Sequence, residues 1–93
     1  MAKISWTRRS INDLKLIHEF ISLDSKFYAD RFINKIVSRV EQLIEFPESG
    51  RIIPEKEEND LRELIEGNYR IFYRVQRNNV TILRIHNSAK NIK

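Results

Sequence analysis

The stretch that decides the fold runs from residue 61 to residue 85 and reads LRELIEGNYRIFYRVQRNNVTILRI. Within it, residues 61–66, 69–77 and 80–85 are rich in aliphatic and aromatic side chains, as strands that bury one face are. Gly67-Asn68 and Asn78-Asn79 separate these segments, and both residue types tolerate the positive φ of tight hairpin turns. The stretch therefore predicts a three-stranded antiparallel meander.

The middle strand of this meander has two chemically different faces. Alternation along the strand places four side chains on the core face, namely Tyr69, Ile71, Tyr73 and Val75. The opposite face then carries Arg70, Phe72 and Arg74. Two cations beside an exposed aromatic ring are typical of a partner-binding face, although cations are also common on a plain solvent face.

The residues before the meander predict one strand and two helices. Residues 3–7 alternate Ile4 and Trp6 with polar neighbours, which indicates a short strand. Apolar residues then recur at helical spacing from about Ser10, the expected N-cap, to residue 23, and again from Asp24 or Ser25 to residue 47. The chain is therefore expected to be an α+β domain of order β-α-α-β-β-β. A helical hairpin would pack on a small, mainly antiparallel sheet, with the first strand at an edge.

The segment between the helices and the meander is expected to be a loop. Pro47 and Gly50 end the second helix, and Arg51 is expected to pair with Glu48 or Glu55. Residues 54–60 are acidic and polar without periodicity, which predicts an exposed loop.

Length and composition limit the kinds of site that the chain can carry. Its 93 residues, 41% hydrophobic and 32% charged, predict a single domain over residues 1–93. Such a chain buries one modest core, so we expect any site on a face or in a groove. The absence of cysteine excludes a thiolate nucleophile, and the two histidines fall on different elements, so we expect no metal and no cofactor. No apolar run has the length of a membrane span, and we expect a cytoplasmic protein without membrane contact.

The net charge of +4 is distributed unevenly along the chain. Residues 1–66 contain 11 basic and 13 acidic side chains, whereas residues 67–93 contain six basic side chains and no acidic one. These six could form a positive surface that attracts phosphates or an acidic partner, or they could neutralise acids elsewhere in the fold. They are Arg70, Arg74, Arg77, Arg84, Lys90 and Lys93.

Short motifs along the chain carry a family resemblance. They are Ile4-Ser5-Trp6-Thr7 with Asp13-Leu14 and Ile17, Phe46-Pro47-Glu48-Ser49-Gly50-Arg51 with Pro54-Glu55, Leu61-Arg62-Glu63-Leu64, Tyr69-Arg70-Ile71-Phe72-Tyr73-Arg74, and Ile82-Leu83-Arg84-Ile85-His86-Asn87-Ser88. In this order and spacing the chain resembles, over nearly its whole length, the RelE/ParE superfamily. These are the toxins of type II toxin–antitoxin systems, often labelled plasmid stabilisation proteins. Three of these motifs resemble the ParE branch more closely than the RelE branch: Trp-Thr, Phe-Pro-x-x-Gly-Arg and Arg-Glu-Leu.

The RelE branch cuts mRNA in the ribosomal A site by attack of a ribose 2′-OH on the neighbouring phosphate. This reaction needs a base, an acid and cations. By resemblance, Arg70 matches the central arginine of that branch and Lys90 its C-terminal arginine. The two strand lysines of that branch fall at Leu61 and Glu63, and its C-terminal tyrosine has no counterpart. Glu63 and His86 could replace the missing base and acid. A RelE-like catalytic set would then be Arg70, His86, Lys90 and Glu63.

The ParE branch acts on DNA gyrase through a protein contact, which suits a chain that lacks most of the RelE set. The resemblance therefore implies a gyrase-inhibiting toxin that a cognate antitoxin protein neutralises. The alternatives are a ribosome-dependent mRNA endoribonuclease, with the ribosome and mRNA as partners, and an inactive family member that only binds antitoxin. Because Arg62 alternates with Glu63, only one of the two should share a face with Arg70. We expect the target-binding side chains among Arg62, Arg70, Phe72, Arg74, Arg84 and Lys90.

Overall fold

The computed structural model describes residues 1–53, 56 and 59–88. In this part of the chain the elements are β1 (Lys3–Trp6), α1 (Arg8–Ser22), α2 (Lys26–Glu41), a single 3-10 turn (Gln42–Ile44), β2 (Arg51–Ile52), β3 (Leu61–Glu66), β4 (Tyr69–Gln76) and β5 (Asn79–Asn87). None of these helices is long and apolar enough to cross a membrane.

The strands form one sheet in the order β1-β5-β4-β3-β2. β3, β4 and β5 are the antiparallel meander that the sequence predicts, and β1 lies parallel to β5 at one edge. The expected α+β architecture is thus confirmed. β2 was not predicted: it pairs with β3 at the opposite edge, and its two residues are too few to carry a periodic signal.

Thr7, and not Ser10, begins the first helix. The Thr7 hydroxyl oxygen accepts a hydrogen bond from the Ser10 backbone N–H at 3.1 Å and donates to the Ile82 carbonyl at 2.8 Å. It therefore caps α1 and also fastens it to β5, while Ser10 is buried inside the helix. Of the two candidate caps of α2, Asp24 and Ser25, the structure shows Ser25 in this role, because its hydroxyl oxygen accepts from the Tyr28 N–H.

One of the two predicted turns is displaced by one residue. Gly67 adopts a φ of +58° between β3 and β4, as the sequence implied. The second turn is formed by Arg77 and Asn78, because Gln76 pairs with Asn79 in the β4–β5 register. Arg77 has a φ of 56°, so a non-glycine residue occupies the left-handed region there.

The core lies between the helical hairpin and one face of the sheet. As predicted, the β4 side chains Ile71 and Tyr73 belong to it, together with Tyr69 and Val75 at its margin. The buried Tyr73 hydroxyl accepts a hydrogen bond from the Gly50 N–H at 2.8 Å, and burial raises the pKa of this hydroxyl above its ordinary value. The other members of the core cluster are Ile17, Ile36, Val40, Leu43, Leu64, Val80, Ile82 and Ile85.

Candidate target-binding face

The sheet face directed away from the helices collects most of the predicted site residues, and we call it the outer face. Strand register arranges its side chains in rows across the sheet. One row runs Arg51–Glu63–Phe72–Arg84 from β2 to β5, and the next runs Ile65–Arg70–His86. Arg74 follows on β4, opposite Thr81 of β5. The outer face therefore brings together residues from four strands.

Glu63 occupies the centre of this face, but its side chain is 0% exposed. Its Oε2 accepts from the Arg51 Nε–H. Its Oε1 accepts from Arg70, with Nε at 2.7 Å and Nη2 at 2.6 Å. Each carboxylate oxygen is thus bonded to a guanidinium, the arrangement that a buried charge requires. The structure shows Arg51 bonded to Glu63, a partner that was not expected, because the unpredicted β2 places Arg51 opposite Glu63. Of the two expected partners, Glu55 lies outside the described residues.

Arg70, Phe72 and His86 form a contiguous stack next to Glu63. The Arg70 guanidinium carbon lies 5.0 Å from the centroid of the Phe72 ring, within cation–π range. The ring of Phe72 meets the His86 ring edge-on at 5.5 Å between centroids. The Phe72 ring therefore contacts both the Arg70 guanidinium and the His86 imidazole, which belong to cross-strand neighbours, and His86 itself is exposed.

Arg74 and Arg84 are also held by carboxylates. Arg74 Nη1 donates to Asp60 Oδ2 at 2.7 Å, and this hydrogen bond lowers the pKa of Asp60 below its ordinary value. Arg84 donates through Nε and Nη2 to the carboxylate of Asp13 in α1, at 3.0 and 3.3 Å. That hydrogen bonding raises the pKa of the Arg84 guanidinium.

Asp13 has a second role at the β5 edge. β1 pairs with β5 only as far as Ile82. Beyond that point, Asp13 Oδ2 accepts the Ile85 backbone N–H at 2.8 Å. A helix carboxylate thus replaces a neighbouring strand at this N–H. The ion pairs of Asp13 and Asp60 were not predicted from the sequence, since their partners lie 71 and 14 residues away along the chain.

The ion pairs of these arginines show which of the two predicted roles the C-terminal basic side chains have. Arg70, Arg74 and Arg84 each bind an acid from the first two-thirds of the chain: Glu63, Asp60 and Asp13. Arg77 lies in the β4–β5 turn, and Lys90 and Lys93 lie outside the described residues. Of the two roles that the charge pattern allowed, neutralising acids elsewhere is therefore the one that these three arginines perform.

One of the expected target-binding residues, Arg62, does not join the outer face. Arg62 alternates with Glu63 and faces the other side, where its Nη1 donates to the carbonyls of Glu48 and Gly50 at 3.1 and 2.9 Å. Arg62 thus fixes the loop that precedes β2. Lys90 lies outside the described residues, as does most of the predicted acidic loop at 54–60.

The residues proposed for acid–base chemistry are separated by a strand. Glu63 is on β3 and His86 on β5, with β4 between them. Two strand spacings amount to about 10 Å, so these side chains form no direct pair. Among residues 1–53, 56 and 59–88, no three His, Asp or Glu side chains converge to hold a metal ion.

Comparisons with known proteins agree with this fold. Residues 4–92 match the family model of the ParE toxin of the type II toxin–antitoxin system parDE. The chain is 34% identical over 91 residues to Toxin RelE2 of Caulobacter vibrioides. This alignment covers 97% of this chain and 99% of that protein. A solved structure of the chromosomal ParDE TA system from P. aeruginosa superposes with a TM-score of 0.75. That chain is 27% identical, and the match covers 94% of this chain and 96% of the other. This chain therefore belongs to the ParE toxin family of type II toxin–antitoxin systems, within the RelE/ParE superfamily.

Proposed function

We propose that this toxin inhibits DNA gyrase through a protein contact, in the manner of the ParE branch, and that a cognate antitoxin neutralises it. The observation that carries the proposal is the state of Glu63, the strongest candidate for a catalytic base. Its carboxylate is buried and bonded to both Arg51 and Arg70.

This arrangement is poorly suited to cutting RNA. A general base must accept a proton from the ribose hydroxyl, and a free cation must stabilise the charge that develops on the phosphate. Protonation of Glu63 would remove the negative charge that pairs with both guanidiniums, and Arg70 is already occupied by the same carboxylate. The distance across β4 also separates His86 from Glu63.

The same surface is well suited to bind a protein. Aromatic and arginine side chains are the most frequent contributors at the centres of protein interfaces. Phe72 lies next to Glu63 on the outer face, and the half-exposed Ile65 adds apolar area beside Arg70. The paired guanidiniums can enter an interface without losing their counter-charges.

An assay of supercoiling and cleavage-complex formation by purified gyrase tests the proposal. The chain should inhibit the enzyme, and Phe72→Ala should weaken inhibition by roughly tenfold or more, as the loss of an interface hot spot does. Phe46→Ala is the matched control, because Phe46 is 62% exposed in the loop after α2 and lies off the outer face. Unchanged gyrase activity at a large excess of toxin would refute the proposal.

One observation favours a RelE-like endoribonuclease as the second candidate. Arg70 and His86 are cross-strand neighbours beside the ring of Phe72, and a base could stack on such an aromatic platform. A relative of this chain also carries the name Toxin RelE2. This candidate requires new 5′ ends on translated mRNA after induction, and His86→Ala should remove them. Growth without any defect would instead favour a member that only binds antitoxin.

The helical hairpin of this chain offers an apolar surface to which the proposed antitoxin could bind. Leu16, Leu23, Phe27 and Tyr28 are between 54% and 82% exposed, although such side chains usually lie inside small domains. A groove of about 470 Å³ also runs beside the free edge of β1, between Trp6 and Val37. Co-expression with the protein encoded beside this gene should yield a stable complex, and separate elution of the two on gel filtration would contradict this part of the proposal.

A further inference from the structure

Glu63 is unusual because it is a fully buried carboxylate on a sheet face that does not pack against the helices. Its side chain is 0% exposed, whereas Arg51 and Arg70, which cover it, are 61% and 24% exposed. The carboxylate thus lies beneath two guanidiniums that are themselves at the surface.

The geometry of this cluster matches the way in which arginine binds external anions. A guanidinium offers a planar set of N–H donors that fits carboxylate and phosphate oxygens equally well. Arg70 directs both Nε and Nη2 to one Glu63 oxygen, and Arg51 directs Nε to the other. The stack on Phe72 holds the Arg70 fork in this direction. Without Glu63, the two arginines would present a preformed site for a phosphate group.

We propose that Glu63 is a specificity-determining residue of the outer face: it occupies Arg51 and Arg70 as an internal anion and so keeps nucleic-acid phosphates off this surface. The proposal goes beyond gyrase inhibition, because it concerns what the face excludes and makes no use of gyrase.

The variant Glu63→Gln tests this role through binding of a fluorescein-labelled single-stranded RNA oligonucleotide. A neutral amide releases the guanidiniums from their charge partner, and each freed phosphate contact should steepen the dependence of log K on log salt by about 0.7. Two contacts should tighten binding by at least about tenfold at low salt, near 0.05 M, and much less at 1 M. A DNA oligonucleotide of the same sequence should gain equally, because phosphate contacts do not read the 2′-OH.

Glu66→Gln is a matched control on the same strand. Glu66 also lies between two cations, Arg39 and Lys35, at 3.3 and 3.8 Å, but it faces the helix side of the sheet. It changes the net charge by the same amount, so its effect on RNA binding measures the general electrostatic contribution. Equal gains in RNA affinity for Glu63→Gln and Glu66→Gln would overturn the proposal. A gain in RNA affinity that persists in the double variant Glu63→Gln/Arg70→Gln would also overturn it.

A measurement on the unaltered chain covers the case in which Glu63→Gln does not fold. The Nε–H signals of Arg70 and Arg51 in ¹H–¹⁵N spectra report whether their donors change partner. Addition of the RNA should leave both signals in place, because Glu63 already binds these groups. A shift of the Arg70 signal on RNA addition would overturn the proposal. Since neither readout involves gyrase, failure of this inference is distinguishable from failure of the proposed function.

Discussion

The Asp13 carboxylate offers the sharpest test of how the sheet is held together. The variant Asp13→Ala removes the acceptor of the Ile85 N–H and the partner of Arg84 in one step. A buried N–H left without an acceptor costs about 1–3 kcal/mol. The Arg84 side chain is 36% exposed, so solvent screening limits the loss of the ion pair to about 1 kcal/mol or less.

Together these losses lower the free energy of unfolding by about 3 kcal/mol, a large fraction of the ~5–15 kcal/mol typical of a domain. Urea unfolding followed by circular dichroism measures the change. With a slope near 1 kcal/mol per molar urea, the midpoint should fall by about 3 M. Asp13→Asn should lose about a third as much or less, because its amide oxygen can still accept the Ile85 N–H and only the ion pair with Arg84 is lost.

Asn12→Ala provides the control for Asp13→Ala. Asn12 precedes Asp13 in α1 but is exposed, so its substitution should shift stability by no more than about 0.5 kcal/mol. If the midpoint of Asp13→Ala falls within about 0.5 M of the Asn12→Ala midpoint, the carboxylate does not secure the β5 edge.

Three further predictions concern the cap, the loop before β2 and the acid response. Thr7→Ala removes both the N-cap bond of α1 and its bond to β5, and should lower the free energy of unfolding by about 2 kcal/mol in urea titrations. Gly50→Ala would bring a Cβ within 2.6 Å of the Glu63 carbonyl oxygen and displace β2. This displacement should lower the free energy of unfolding by about 1–3 kcal/mol and speed amide hydrogen exchange in β2. Unchanged exchange in β2 would contradict this prediction. The hydrogen bond from Arg74 lowers the folded-state pKa of Asp60 below 3.8, so the stability it contributes is present above that pH and is lost as the pH falls further. Thermal melts between about pH 5 and pH 2 should therefore be flatter for Asp60→Asn than for the unaltered chain, and identical slopes would exclude this contribution.

The sequence predicted the meander and its two faces because strand alternation has a period of two and is read locally. Tyr69, Ile71 and Tyr73 faced the core for this reason, and Arg70 and Phe72 the outer face. The helix start was misplaced because Ser10 and Thr7 are both good N-caps. The bond from Thr7 to the distant Ile82 carbonyl favours Thr7, and no local pattern contains that bond.

The pairing of the charged side chains could be identified only from the folded structure. The sequence showed an excess of C-terminal cations, but pairing depends on which acids the strands bring near them. Arg84 meets Asp13 across 71 residues, and Arg51 meets Glu63 only because the short strand β2 exists. A two-residue strand leaves no periodic signal, so the buried carboxylate at the centre of the outer face could not be predicted.

We propose that this toxin acts on a protein of DNA metabolism and does not cut RNA. Pulse-labelling of DNA and protein synthesis in parallel, at short times after induction, tests it most directly. We expect that DNA synthesis falls first while translation continues, and that translated mRNA acquires no new 5′ ends. An early arrest of translation, with new 5′ ends that disappear in His86→Ala, would contradict it.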